Sequence, residues 1–291
     1  MFHGVGTALI TPFRDDGALD EGALEKFVDW QITEGVNFLV PCGTTGENPT
    51  LTADEHRRVV ELTVKTAHGR VPVLAGAGSN STARAVELAE QAVDLGANGI
   101  LTITPYYNKP TPDGLRRHFG AQAEAVERKK SGFPMIMYNV PSRTGLNMTA
   151  ETTLRMAREI PNVIGVKEAS GNLEQILSIL RDRPHGFLVL SGDDAWTLPL
   201  MAVGAEGVIS VASNEVPKLM RQMVDERSVA IQNRLLPLLT GNFIEANPGP
   251  AKAAMKMMGI LESDTVRPPL APVTEASRRK LEVILRECGL V

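Results

Sequence analysis

At 291 residues, 43% hydrophobic and 22% charged with a formal net charge of -4, the chain has a globular composition and lacks the cationic excess of a nucleic-acid binder. Its two cysteines, Cys42 and Cys288, lie far apart and match no disulfide or zinc spacing, which fits a reducing cytoplasm. No stretch is apolar enough to span a bilayer, and the opening MFHGVGTALITPF has neither the cationic segment nor the cleavage pattern of a secretory leader, so no membrane is expected as a partner.

Eight short runs rich in Val, Ile and Leu read as strands: Val5 to Phe13, Phe38 to Gly43, Val71 to Gly78, Gly99 to Tyr107, Pro134 to Pro141, Val163 to Ala169, Phe187 to Gly192 and Gly207 to Ala212. Between them lie segments of helical period, among them Asp20 to Glu34, Ala53 to Ala67, Thr82 to Leu95 and Gly114 to Arg128. Strand and helix in regular alternation predict a parallel sheet, and eight units over roughly 210 residues predict its closure into a (β/α)8, or TIM, barrel. The strands are apolar throughout, as burial on both faces requires. After Ala212 only helices follow, at Val216 to Val224, Ala230 to Phe243, Pro250 to Met258 and Glu275 to Cys288. The division expected is a catalytic barrel over residues 1–214 and a C-terminal helical domain over 215–291.

Function in such a barrel gathers where eight loops leave the C-terminal strand ends. The polar residues predicted there are Thr44 and Thr45 in PCGTTGE, Tyr106 and Tyr107 in ITPYYN, Tyr138 and Arg143 in YNVPSRTG, Lys167 and Glu168 in GVKEASGN, and Ser191 to Asp194 in LSGDDA, all expected to face one mouth. Lys167 carries the most information. Burial disfavours a lysine's cation, and the neutral amine adds to ketones to form Schiff bases; the competing reading is a lysine that reaches out of the strand end to a carboxylate such as Glu168. The chain's three tyrosines all fall at this mouth, and a tyrosine with a threonine relay can move the protons that carbon–carbon bond formation needs. Tyr138 could instead be core packing. The glycine-bounded GTTGE loop offers two hydroxyls and closely spaced amides to a carboxylate, or a threonine cap to the next helix. Arg143 could grip a substrate carboxylate or pair with an acidic surface residue. Asp193-Asp194 reads as a helix cap and not as a metal site, GAGSNS as a turn and not as a dinucleotide fingerprint, and Asp54-Glu55-His56 as a solvated first turn. No serine, histidine and acid arrangement suggests a hydrolase.

The motifs PCGTTGENPTL, ITPYYNKP, YNVPSRTG, GVKEASGN, LSGDDA and GVISVASN, in this order over nearly the whole chain, resemble the dihydrodipicolinate synthase family of pyruvate-dependent class I aldolases. The resemblance implies condensation of pyruvate with aspartate semialdehyde, with no cofactor beyond a covalent Schiff base on Lys167. It further implies Tyr138 as proton relay and general acid/base, Thr44 as the link to Tyr107, and Tyr107 as a residue that enters a neighbouring subunit's site, so that the active unit is a homodimer, usually paired into a homotetramer. By the same resemblance Thr45 holds the pyruvate carboxylate, Arg143 the carboxylate of the second substrate, and Gly192 and Ile209 line the pocket through their backbones. Sister sugar-acid aldolases, such as N-acetylneuraminate lyase, usually carry serine in the GTTGE motif and lack the arginine; these and a non-catalytic pyruvate-binding barrel are the alternatives. Two departures stand out: residues are missing near Asp225 to Val229, and VERKKSGFP is longer than usual. Lysine-sensitive members bind lysine at the dimer interface with residues that match Asn48, Pro49, Ala53, His56, Asn80, Arg84 and Tyr106. Here Arg84 replaces a glutamate and Ala53 a histidine, so a cleft at Asn80, Arg84, His56 and Tyr106 is not expected to answer to lysine.

Overall fold

The computed structural model describes all 291 residues. Its eight strands are β1 Gly4–Ala8, β2 Phe38–Val40, β3 Leu74–Gly76, β4 Gly99–Ile103, β5 Met135–Asn139, β6 Val163–Glu168, β7 Leu188–Ser191 and β8 Gly207–Ser210. All ladders are parallel in the order β2-β1-β8-β7-β6-β5-β4-β3, and the bridge Leu39–Val73 with the bond from Gly76 N to Pro41 O closes β2 onto β3. The barrel expected from the sequence is the one observed. The strands are shorter than their apolar runs at the C-terminal ends: Leu9 and Ile10 stay buried after leaving the β1 ladder, so hydrophobicity continues where strand pairing has stopped.

Eight helices cover the barrel: α1 Glu21–Thr33, α2 Ala53–Ala67, α3 Thr82–Asp94, α4 Pro112–Lys129, α5 Pro141–Thr144, α6 Ala150–Glu159, α7 Leu173–Asp182 and α8 Thr197–Ala202. Four more follow β8: α9 Pro217–Glu226, α10 Val229–Gly241, α11 Gly249–Met257 and α12 Glu275–Glu287. Only Arg227, in a left-handed conformation, and Ser228, which caps α10, separate α9 from α10. None of the helices is long and apolar enough to cross a membrane.

Period-two alternation sorts side chains between two cores. In β5, Ile136 and Tyr138 join the barrel interior with Phe38, Leu101 and Ile209, while Met135 and Met137 face the helices. The N-terminal end is plugged by Phe2 against Phe38, edge to face at 5.5 Å, and Gly6 is required there because a Cβ would lie 2.1 Å from the Phe38 ring.

His118 on α4 is buried against α3, its Nδ1 3.0 Å from Thr82 Oγ1, and burial lowers its pKa to about 4. The folded state favours the neutral ring, so its contribution is complete above the unfolded value near 6.5 and is lost as pH falls toward 4, at most ~3 kcal/mol. Denaturant unfolding at pH 7.5 and 4.5 should show a smaller acid loss in His118→Gln than in the parent; equal losses would refute the assignment.

Candidate active site

The C-terminal strand ends open into a cavity of about 390 Å³ lined by Thr44, Thr45, Tyr138, Arg143, Lys167 and Gly192, among others. A neighbouring cavity of about 240 Å³ shares Thr44, Tyr138 and Arg143 and extends past Asn48, Pro49 and Tyr106.

Lys167 and Tyr138 are directly paired across β6 and β5, so both side chains point inward at the same level. Lys167 is only 5% exposed, and its Nζ lies 4.3 Å from the centroid of the Tyr138 ring. Its sequence neighbour Glu168 points the opposite way, as strand alternation demands. The Glu168 carboxylate is buried, accepts from Asn139 Nδ2 at 3.2 and 3.1 Å, from Gln175 Nε2 at 3.3 Å and from Ser170 N at 2.7 Å, and is raised in pKa by its desolvation. Glu168 therefore does not face the mouth as the sequence reading had it, and Lys167 does not pair with it.

The two threonines are not helix caps. The next helix, α2, is capped by Thr52 and Glu55 in a reciprocal capping box, and Thr45 is buried with its Oγ1 accepting from Asn247 Nδ2 at 3.1 Å. That bond directs the Thr45 hydroxyl proton away from Asn247. Arg143 sits exposed near the C-terminal end of α5, lines both cavities, and takes part in none of the chain's ion pairs. A Cβ on Gly192 would lie 2.7 Å from Ala169 Cβ and 3.2 Å from Lys167 Cε. Gly192→Ala should displace the lysine and slow borohydride trapping of a keto acid roughly 10- to 100-fold. Trapping as fast as in the parent would show that the backbone yields there. Ile209 is buried in the same interior cluster as Tyr138.

Other residues are placed elsewhere. Tyr107 lines neither cavity; at φ 69° it is 87% exposed. Asp193 caps a short turn by accepting from Ala195 N, as a cap was expected to, but Asp194 is buried and accepts from Val211 N and Ala212 N, both at 3.0 Å, so it ties β7 to the end of β8. Asp54-Glu55-His56 is not uniformly solvated. Glu55 receives both guanidinium arms of Arg267, and His56 is buried with Nε2 2.9 Å from Gly76 O and Nδ1 3.3 Å from Gln91 Oε1. Arg84 pairs with Glu87 at 2.8 Å, and Asn80 O accepts from Asn108 Nδ2. The sequence reading also missed one wall of the larger cavity: Phe243, Glu245, Ala246 and Asn247 come from the segment between α10 and α11, outside every motif singled out in the sequence.

Residues 1–288 match the model of the dihydrodipicolinate synthetase family. The chain belongs to that family. A relative of it, the 4-hydroxy-tetrahydrodipicolinate synthase of Koribacter versatilis (strain Ellin345), is 50% identical over 99% of this chain and 97% of its own. Among solved family structures, a dihydrodipicolinate synthase crystal structure superposes with a TM-score of 0.94 at 44% identity over the whole of both chains. A monomeric dihydrodipicolinate synthase variant superposes with a TM-score of 0.94 at 41% identity, covering 100% of this chain and 98% of its own.

Proposed function

We propose that this family member is a 4-hydroxy-tetrahydrodipicolinate synthase, a class I aldolase-type lyase that condenses pyruvate with L-aspartate 4-semialdehyde on the route to diaminopimelate and lysine. The observation that carries the reading is the inward Lys167 beside Tyr138, unpaired with any carboxylate, in a cavity that also holds a threonine loop and a free arginine.

The unprotonated Lys167 amine adds to C2 of pyruvate and expels the ketone oxygen as water, which leaves an iminium. Tyr138, with Thr44 as its relay, takes a C3 proton to give the enamine. C3 attacks the aldehyde carbon, and the alkoxide is protonated to the 4-hydroxyl. The semialdehyde's own amino group then displaces Lys167 at C2, closing the ring and freeing the amine; one water is lost overall. The iminium is the electron sink, so the scheme needs no other cofactor. Thr45 and the loop amides seat the pyruvate carboxylate, Arg143 receives that of the semialdehyde, and Gly192 and Ile209 shape the pocket.

Tyr107 completes the relay of a second copy in a homodimer, which its exposure supports. The apolar Leu173, Leu177 and Trp196, each 40–42% exposed, supply a face for pairing dimers into a tetramer. Two free, buried cysteines suit a cytoplasmic setting. A coupled assay with pyruvate and the semialdehyde tests the activity; turnover of sialic acid or 2-keto-3-deoxygluconate in their place would assign the chain to the sugar-acid branch.

In the same assay L-lysine should not inhibit at submillimolar concentrations. A guanidinium at Arg84 in place of a carboxylate turns an attraction of about 4 kcal/mol at ~4 Å into a repulsion, at an effective dielectric near 20. A hundredfold loss of affinity needs only ~2.7 kcal/mol. Half-inhibition below a millimolar would show that Arg84 stays on Glu87 and leaves the ligand's ammonium alone.

A further inference from the structure

The loop that carries Thr44 and Thr45 is gripped from outside the barrel by a buried ion pair that no step above uses. Glu47 closes the loop in a left-handed conformation, φ 54° and ψ 35°, which a residue bearing a Cβ holds only when its surroundings fix it. Both carboxylate oxygens are engaged from the C-terminal region. Lys252 Nζ of α11 donates to Oε1 at 2.5 Å and Arg267 N donates to Oε2 at 2.9 Å. Neither side chain of the Lys252–Glu47 pair has any exposed surface.

The cation is held as firmly as the anion. Lys252 Nζ also donates to Thr265 O at 2.8 Å and lies 4.4 Å from the centroid of the Phe13 ring. The guanidinium of Arg267 lies 4.2 Å from the same ring and donates to both oxygens of Glu55, to Gly17 O and to Thr50 O. Thus the loop after β1, the first turn of α2 and the segment after α11 meet at Glu47. Five residues before Lys252, on the approach to α11, Asn247 donates to Thr45 Oγ1, so the same segment holds both ends of the Thr45–Glu47 stretch.

A dry ion pair adds little stability over apolar side chains of similar shape, because desolvation offsets the attraction. What it supplies and a greasy contact does not is direction: a carboxylate held at each oxygen by a separate donor is fixed in orientation as well as in position. We infer that Glu47 and Lys252 are positioning residues, through which the C-terminal helices set the placement of the Thr44–Thr45 loop for the carboxylate of the keto-acid substrate. This rests on the proposed seat for that carboxylate.

The test uses the full-length enzyme, with Lys252→Met, Glu47→Gln and the double variant, which leaves no lone buried charge. Pyruvate half-saturation is read from borohydride trapping on Lys167, beside the KM for the semialdehyde and the thermal midpoint. The double variant should need about tenfold more pyruvate, a change of ~1.4 kcal/mol, while trapping still reaches completion and the semialdehyde KM stays within about twofold. A folded double variant with parental pyruvate saturation, equal weakening toward both substrates, or a double variant that cannot fold would each overturn the inference, the last because the pair would then be a folding requirement. Thr45→Val is the control on the underlying reading. If it leaves pyruvate saturation unchanged, the carboxylate seat is wrong whatever Glu47 does; if it weakens pyruvate and the double variant does not, only the positioning role fails.

Discussion

Lys167→Ala should abolish the borohydride-trapped pyruvate adduct and lower turnover by roughly 10⁴- to 10⁶-fold, the scale on which removal of a covalent nucleophile acts. The fold should survive. Lys167 lies inside the barrel beside the Tyr138 ring without a carboxylate partner, so the substitution strands no opposite charge. It does remove a contact with the ring, worth about 2 kcal/mol at most in a desolvated setting, and the ammonium's own burial offsets that loss. The thermal midpoint should therefore stay within a few degrees of the parent or rise. Intact-protein mass spectrometry after pyruvate and borohydride decides the first part and calorimetry the second. A persisting adduct would move the nucleophile to another lysine, and Lys252, buried and salt-bridged to Glu47, is poorly placed to serve.

Arg143→Ala should separate the two substrates. Pyruvate trapping should proceed as in the parent, because the proposed carboxylate seat and the amine lie on β2 and β6 and their loops. The kcat/KM for aspartate semialdehyde should fall about 100-fold, ~2.7 kcal/mol, the loss expected when a paired guanidinium contact to a carboxylate is removed. Exposed and without an ion-pair partner, Arg143 can be deleted with little effect on stability. Parallel loss of trapping and of semialdehyde use would mean that Arg143 serves the first substrate as well. Guanidinium chloride in the assay offers a further check, since partial restoration of semialdehyde use would place the missing group at the cavity mouth.

The barrel and the position of its lysine were legible without coordinates because both follow from short-range rules. Apolar runs such as Gly-Val-Ile-Ser and Val-Ile-Gly-Val mark strands buried on both faces, and helical periodicity between them forces parallel neighbours. Strand alternation alone also places Lys167 inside and Glu168 outside, a consequence the sequence reading overlooked when it sent both to the mouth. Strand ends were set too late at Phe13, Gly78 and Tyr107; at the first two, burial persists after the ladder stops, through Phe13 and Ala77, and composition records only burial.

What no local pattern carries is which distant segment meets the site. Asn247 bonds Thr45 across 202 positions and Lys252 meets Glu47 across 205, and nothing in the period or composition of GTTGE or of NPGPAK announces the other. The same holds for His56, drawn into the core by Gly76 O and Gln91, and for Asp194, whose Oδ2 accepts from two backbone N–H groups at the end of β8. Hydrophobic periodicity specifies which face of an element is buried, whereas the partner of a buried polar group is fixed only when the closed barrel and the helices after it bring particular donors within 3 Å.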